Sequence, residues 1–368
     1  MKVLRVCRTF PSINNPGAGM HCYQYTILSK YKSVILTKEN IGNITLSSNS
    51  VPIYHMKYRD IIAKSSELNL LNYIAIGISK LWGELICLKE ILKISRNNNF
   101  SFIHIHSINY LIAGVLAKKI LKVPIGLNIG GTDFQRAKNI WLYRVFLKQV
   151  DKLFFVSLKV RDELLKIVDE EILVHTSNGF NSEVFFNTNE IREEYLIAVG
   201  NLRWQKNHTL LLESFVKVAQ EFPNIQLIII GSGPERDKLQ NLSIDLKIQS
   251  KIHFYGQLKQ DEIAEMMNKS KIFCLTSSSE GFPKVILEAF SCGLPVISTD
   301  VGDCRNIIKD GGIISESNAD DYSHNVINLL KDNNFIKYQE KAIEISKNYS
   351  WDNVVKKIDQ AYDSLKFK

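Results

Sequence analysis

Glu280 and Glu288 stand with seven residues between them in the stretch I-F-C-L-T-S-S-S-E-G-F-P-K-V-I-L-E-A-F-S-C-G-L-P-V-I-S-T-D-V-G-D-C, residues 272–304. Two carboxylates can serve as acid and base on a glycosidic bond. Eight helical steps at about 1.5 Å each span roughly 12 Å, however, against about 5 to 9.5 Å for such pairs. The gap suits instead the two hydroxyl-rich ends of one long ligand with anionic groups between them, and a sugar nucleotide has that shape. A loop Glu and a solvated helix Glu with no shared task remain the plain alternative.

Local chemistry dictates the elements that carry the pair. Ile272, Phe273, Cys274 and Leu275 form an apolar run, expected as a buried strand ending in a serine loop. Pro283 suits a first helical turn, where its missing N–H is not needed. Val285, Ile286, Leu287, Ala289 and Phe290 fill the helix, which stops at Gly293 with Pro295 beyond. Glu280 therefore lies on a loop and Glu288 on the helix, and the N–H groups of Gly281 and Phe282 sit at the helix's positive end, a natural place for phosphate.

From Tyr195 onward, strands and helices alternate: strands over 195–200, 226–231, 251–256, 271–277 and 295–299, with helices between them. That rhythm predicts a doubly wound parallel α/β sheet. Its strand ends carry N-L-R-W-Q-K (201–206), G-S-G-P (231–234), the Glu280 loop and T-D-V-G (299–302). Lys206 opens a helix beside the glycine loops, placed for a diphosphate or simply solvated. A last helix over 350–365 has apolar positions at Val354, Val355, Ile358, Tyr362 and Leu365 and is expected to strap the chain's end to another element.

In the first half, Lys2–Cys7 is a strand, and the loop after it contains Gly17 and Gly19. The dinucleotide fingerprint fails there, because its third glycine would be Cys22 and the first lies about nine residues beyond the strand. The glycines still permit close backbone approach to a ligand; a plain surface loop is the other reading. Residues 56–98 carry apolar positions at helical spacing, including Ile78, Leu81 and Leu85, mostly core-facing. Tyr58, Tyr73 and Trp82 interleave with Lys57, Arg59, Lys64, Lys80 and Lys89, a pattern that suits a membrane interface. Further strands are expected at 102–105, 123–129 and 153–157, with a helix over 111–121. Arg8, His106, Asp133 and Ser157 follow successive strands, where open α/β sheets bind ligands. His104 and His106 share a strand face, but two ligands do not make a metal site.

The chain has 368 residues, enough for two domains. No leader is visible before K-V-L-R-V-C, and no apolar stretch reaches the ~18 residues of a membrane span. Six scattered cysteines without a C-x-x-C are expected as buried free thiols of a cytoplasmic protein. Residues 1–180 carry a net +12 and residues 181–368 a net −4. The basic half suggests an anionic partner surface. No nucleic-acid-binding pattern accompanies it, so the membrane inner leaflet is preferred to nucleic acid.

V-G-N-L-R-W-Q-K-N, I-I-I-G-S-G-P-E-R-D-K-L, E-G-F-P-K-V-I-L-E-A-F-S-C-G-L-P-V-I-S-T-D-V-G and S-N-G-F-N-S-E-V-F together resemble the family 4 (group 1) glycosyltransferases of bacterial surface-polysaccharide type. They cover most of residues 175–310. The resemblance implies a GT-B fold: two facing Rossmann-like domains, 1–182 on the acceptor side and 183–349 for the sugar nucleotide, with 350–368 crossing back to the first. It implies a retaining, metal-independent transfer from a nucleoside diphosphate sugar, UDP ahead of GDP, to a lipid-linked glycan at the inner face of the membrane. No cofactor is implied. Glu288 would bind ribose hydroxyls, Glu280 with Gly281 and Phe282 the donor sugar, and Lys206 the leaving diphosphate, with Gly17 and Gly19 approaching from the other domain. Asn201, Gly231, Gly233, Pro283 and Lys284 complete the implied donor contacts, and Arg203, His106 and Asp133 the implied reaction site. Three positions depart from the family: Asn201 replaces Arg, Gly130 replaces the His before G-T-D, and Asp303 replaces Gly. A GT-B sugar-nucleotide 2-epimerase and a catalytically idle sugar-nucleotide-binding module remain as alternatives.

Overall fold

A computed structural model describes residues 1–11, 19–38, 51–58, 70–331 and 335–365. The chain divides into two units, one of residues 1–177 with 354–368 and the other of residues 178–353. The division falls a few residues from the sequence boundaries because both flanks of the linker pair within the second unit. Phe180 N–H donates to Tyr349 O at 3.3 Å and Trp351 N–H to Phe180 O at 3.4 Å.

The first unit is built on seven parallel strands: β1 (Lys2–Cys7), β2 (Lys32–Thr37), β3 (Ile53–His55), β4 (Phe102–Ile105), β5 (Ile125–Ile129), β6 (Lys152–Phe155) and β7 (Leu173–His175). Their order is β3-β2-β1-β4-β5-β6-β7. Side chains alternate faces along a strand, and here the two faces differ. Leu4, Val6, Ile103, Ile105 and Leu127 enter an apolar core with Cys87, Ile91 and Ala113 of the helices Leu70–Ser95 and Leu111–Leu121. The intervening positions of β1 and β4 carry Arg5 and His104, both fully buried. Tyr362 of the final helix, Trp351–Asp363, covers them. That helix is fixed on the first unit through Asp359, which accepts from Ser29 Oγ at 2.6 Å and Lys30 N–H at 2.9 Å.

The second unit has six parallel strands: β8 (Tyr195–Val199), β9 (Gln226–Ile230), β10 (Ile252–Gly256), β11 (Ile272–Leu275), β12 (Val296–Thr299) and β13 (Gly312–Ser315). The order is β10-β9-β8-β11-β12-β13. Here both faces are apolar: Ile197, Ile228 and Phe273 pack with Ile286 and Phe290 on one side, and Leu196, Leu227 and Ile229 pack with Phe215 and Tyr322 on the other. This is the two-sided burial that parallel sheets require.

Two local expectations are corrected. Pro283 flanks the helix, which begins at Lys284, instead of opening its first turn. Ile78, Leu81 and Leu85 are exposed, not core-facing; with Trp82 they form a stripe at i, i+3, i+4 and i+7 of the helix Leu70–Ser95. Arg59 and Lys64 lie outside the described residues. All six cysteines are buried free thiols.

Candidate functional site

In a doubly wound sheet, ligands bind at the carboxyl ends of strands where the order reverses. The second unit reverses between β8 and β11, and the residues following those strands are 200–206 and 276–280. The two segments are tied together. Ser278 N–H donates to Gln205 O at 2.8 Å, and Thr276 Oγ1 to Lys206 O at 3.2 Å. Lys206 Nζ reaches Glu280 Oε1 at 2.5 Å, and the same oxygen accepts from Ser277 Oγ at 2.8 Å. The two ionic side chains are 24% and 12% exposed, enough shelter from solvent for their charges to be felt. The residues assigned from sequence to a sugar and to a diphosphate thus form one cluster. The Lys206 stem lies over Gly200, whose missing Cβ leaves it room at 3.3 Å.

Glu288 lies half-buried on the helix Lys284–Ser291. Burial raises its carboxyl above the ordinary range, opposed by the Lys284 charge. Among the described residues, no side chain or N–H donates to it. It is an acceptor held ready, with nothing accepted. Gly281 is exposed, and a Cβ there would meet nothing within 4 Å, so a ligand can approach the backbone before this helix. Phe282 packs at 6.3 Å from the Tyr349 ring, and Lys284 is exposed. Asn201 and Arg203 are both exposed; they face one another only through the backbone, Arg203 N–H to Asn201 O at 2.8 Å.

Several glycines have tighter reasons to be glycine. At Gly231 (φ +143°) a Cβ would fall 1.9 Å from Gly200 O, and at Gly233 2.2 Å from Leu202 O. These glycines let the loops after β8 and β9 close on one another, whatever else they contact.

Four further residues belong to the site; of these, Gly302 is noted in the sequence only as part of a strand end and Asp303 only as a departure from the family. Gly302 (φ +54°) would place a Cβ 2.5 Å from Glu280 O, so it supports the Glu280–Gly281 backbone from below. Asp303 is 2% exposed, its N–H donates to Gly281 O at 3.3 Å, and its Oδ2 is buried without a partner. Ser277 was read only as part of a serine loop. His208 opens the helix His208–Glu221; burial, then the Lys206 charge, push its imidazole down to about 4, leaving it neutral. The V-G-D triplet after β12 was the available signal for the first two.

The first unit reverses between β1 and β4. His106 directly follows β4, its Nε2 buried and unpartnered and its Nδ1 3.4 Å from Asn128 Nδ2. Asp133 sits half-buried in the first turn of the helix Gly131–Asn139. Gly19 (φ +63°) starts the helix Met20–Leu28, and a Cβ there would lie 2.2 Å from Thr9 O, a structural reason for glycine. Gly17 lies outside the described residues. Among the described residues, no three His, Cys, Asp or Glu side chains converge as metal ligands. No described helix is long and apolar enough to cross a membrane.

The sequence pattern of "Glycosyl transferases group 1" matches residues 180–349, and that of "Glycosyltransferase Family 4" matches residues 72–184. Over 272 residues the chain is 28% identical to the N-acetyl-alpha-D-glucosaminyl L-malate synthase of Bacillus anthracis, covering 68% of this chain and 70% of that one. Among solved structures, Anabaena HepE in complex with UDP superposes with a TM-score of 0.77 at 15% identity, over 99% of this chain and 100% of that one. The lipopolysaccharide outer core galactosyltransferase WaaB, in its apo form, superposes with a TM-score of 0.71 at 15% identity, over 99% of both chains.

Proposed function

The chain belongs to the family 4, group 1 glycosyltransferases and has the GT-B fold, and from that premise we propose a specific donor site and reaction. The enzyme moves a sugar from a nucleoside diphosphate sugar, UDP ahead of GDP, to a lipid-linked glycan in surface-polysaccharide assembly, with retention of configuration and without a metal ion. The observation that carries this reading is the Lys206–Glu280 pair at the β8/β11 reversal, followed along the chain by the open Gly281 backbone and the half-buried Glu288 carboxyl on the next helix.

In this reading, the ribose hydroxyls donate to Glu288, and the diphosphate lies against Lys206 and the backbone N–H groups of Gly281 and Phe282. Glu280 holds hydroxyls of the donor sugar. As the bond to the anomeric carbon breaks, charge collects on the departing diphosphate, and Lys206 is already in place to stabilise it without rearrangement. Glu280 Oε1 is engaged by Lys206 and Ser277, so it is held as a binding group, not freed as a nucleophile. That favours departure and attack on the same face of the sugar. HepE holds UDP in its structure, and WaaB is a lipopolysaccharide outer core galactosyltransferase; both support the reading by analogy of fold.

The acceptor side rests on the basic first half and on the exposed Ile78, Leu81, Trp82 and Leu85 stripe, flanked by exposed Lys80 and Lys89. Apolar residues beside lysines suit peripheral binding to an anionic inner leaflet better than nucleic acid and support a location at the cytoplasmic face. A single-turnover assay with radiolabelled UDP- and GDP-sugars, with and without bacterial lipid extract, tests the whole. Label in the lipid phase with release of UDP is expected. Conversion of the donor alone would mark a 2-epimerase, and an unchanged donor an idle binding module.

A further inference from the structure

One continuous hydrogen-bonded chain crosses the interior of the first unit. Arg5 Nη1 donates to the Tyr362 hydroxyl at 3.0 Å, and that oxygen lies 2.5 Å from His104 Nδ1. His104 Nε2 is 2.8 Å from Asn128 Oδ1, and Asn128 Nδ2 is 3.4 Å from His106 Nδ1, the longest link. Arg5, His104 and Tyr362 are 0% exposed. The rings of His104 and His106 stack at 4.2 Å, with Tyr25 against both.

The chain has a direction, and the chemistry of its members sets it. A guanidinium only donates, so the Tyr362 oxygen accepts from Arg5; His104 Nδ1 is the acceptor in reach for the phenol's own proton, and Asn128 Oδ1, which can only accept, stands opposite Nε2 and requires the same direction. Burial, then the Arg5 charge, hold His104 well below the ordinary histidine range, so the ring is neutral. A neutral ring that accepts at Nδ1 carries its proton on Nε2, and that N–H donates to Asn128 Oδ1. With its oxygen committed, the Asn128 amide turns its NH₂ to His106. His106 is held neutral by burial and by the neighbouring His104, so it too accepts at Nδ1 and carries its proton on Nε2. There the chain ends: Nε2 is buried and has no partner. A buried unpaired N–H is costly in the empty protein and is satisfied when a ligand supplies an oxygen. It stands at the β1/β4 reversal, where a doubly wound sheet receives its ligand.

We propose that this chain holds His106 as an obligate hydrogen-bond donor to an oxygen of the enzyme's carbohydrate substrates, with Tyr362 on the terminal helix as the residue that sets its polarity. The ligand part rests on the glycosyltransferase reading; the polarity does not. Binding the terminal helix over β1 and β4 then has a purpose beyond closing a core, because it supplies the hydroxyl that starts the relay. The oxygen is a hydroxyl of the transferred sugar or of the acceptor glycan, and both sources accept the same N–H.

Long-range ¹H–¹⁵N correlation spectra of the full chain, labelled at histidine, read the tautomers at pH 7 without any sugar nucleotide. His104 and His106 are both expected as the Nε2–H form; a protonated Nδ1 on His106, or an imidazolium, overturns the proposal even if the chain transfers sugar. Asn128→Asp presents an acceptor to both rings, so the His106 proton is expected to move to Nδ1. Tyr362→Phe is expected to mix the His104 tautomers, with the melting temperature as the folding control; an unchanged spectrum removes Tyr362 from the relay. In the transfer assay, Asn128→Asp and His106→Phe are expected to lose about tenfold or more in kcat/KM, as for one lost hydrogen bond. His106→Gln, whose amide N–H stands near Nε2, is expected to recover part of that loss. A rise in KM for the sugar nucleotide alone assigns the oxygen to the donor, and for the lipid alone to the acceptor. Wild-type kinetics in His106→Phe overturn the ligand contact.

Discussion

At the β8/β11 reversal the polar groups ride on loops: Lys206, Ser277 and Glu280 meet outside a sheet whose two faces are both apolar. At the β1/β4 reversal they run through the sheet itself, where Arg5, His104 and Asn128 replace the apolar side chains of one face beneath Tyr362. The same topology thus supports two arrangements. Loop groups can take on a further partner when a ligand arrives, as Lys206, with three N–H donors, can meet phosphate while keeping Glu280. Groups locked in a sheet keep their partners and offer a ligand only the atom left over, His106 Nε2.

Variants at the loop cluster are expected to damage the reaction directly, and variants behind the first sheet to alter protonation and stability and to reach the reaction only through His106. The largest effect is expected at Lys206→Ala. Loss of one charge that stabilises the departing diphosphate should lower kcat by roughly 10²- to 10³-fold, with a smaller change in nucleotide affinity, in steady-state kinetics. A change confined to KM would make Lys206 a plain binding contact.

Glu84 tests the buried polarity of the first unit. It is 5% exposed and accepts the N–H groups of Ile112 and Ala113 at the start of the helix Leu111–Leu121. Burial outweighs those bonds and pushes its carboxyl up to about 8. The folded protein therefore holds a proton that an unfolded glutamate has already released near 4.5. Stability from this group is complete below that value, falls as pH rises, and is lost above about 8. Denaturant titrations across the window should show a loss on the order of 1–4 kcal/mol, and Glu84→Gln should flatten it.

Gly302→Ala should cost about 1–3 kcal/mol through its left-handed backbone and its contact with Glu280 O. The melting temperature should fall, and activity with it, because the Glu280 loop loses its floor. The smallest effect on stability is expected at Trp82→Glu on the exposed stripe, within about 0.5 kcal/mol. Sedimentation with vesicles containing phosphatidylglycerol should nevertheless show weakened binding; unchanged binding would remove the stripe from the membrane surface.

How much of this was legible in the sequence follows the same division. The loop cluster lies in contiguous segments at strand ends, so Lys206, Glu280, Gly281 and Glu288 could be singled out from local pattern. Their direct pairing could not, because it depends on β8 and β11 being neighbours. The relay draws one residue from each of β1, β4, β5 and the terminal helix. In sequence its members stand apart, as one residue of the first strand (Arg5), a histidine pair and an apolar helix position (Tyr362). β3, β7 and β13 went unread because each is three or four residues long and lies at a sheet edge, where little apolar patterning is needed; β2, as long as β1, went unread although its Val34–Leu36 run is apolar. The stripe at Ile78, Leu81 and Leu85 was assigned to the core because helical periodicity marks an apolar face without saying what covers it.

The central claim is that the nucleotide is held by the loops of the second unit, with Glu288 as its hydroxyl acceptor. Calorimetric titration of UDP into the wild type, Glu288→Gln and Asn128→Asp tests it most directly. The account predicts that Glu288→Gln weakens UDP by about 1–3 kcal/mol while Asn128→Asp leaves UDP affinity at the wild-type value. Unchanged affinity in Glu288→Gln, or equal losses in both variants, would contradict it.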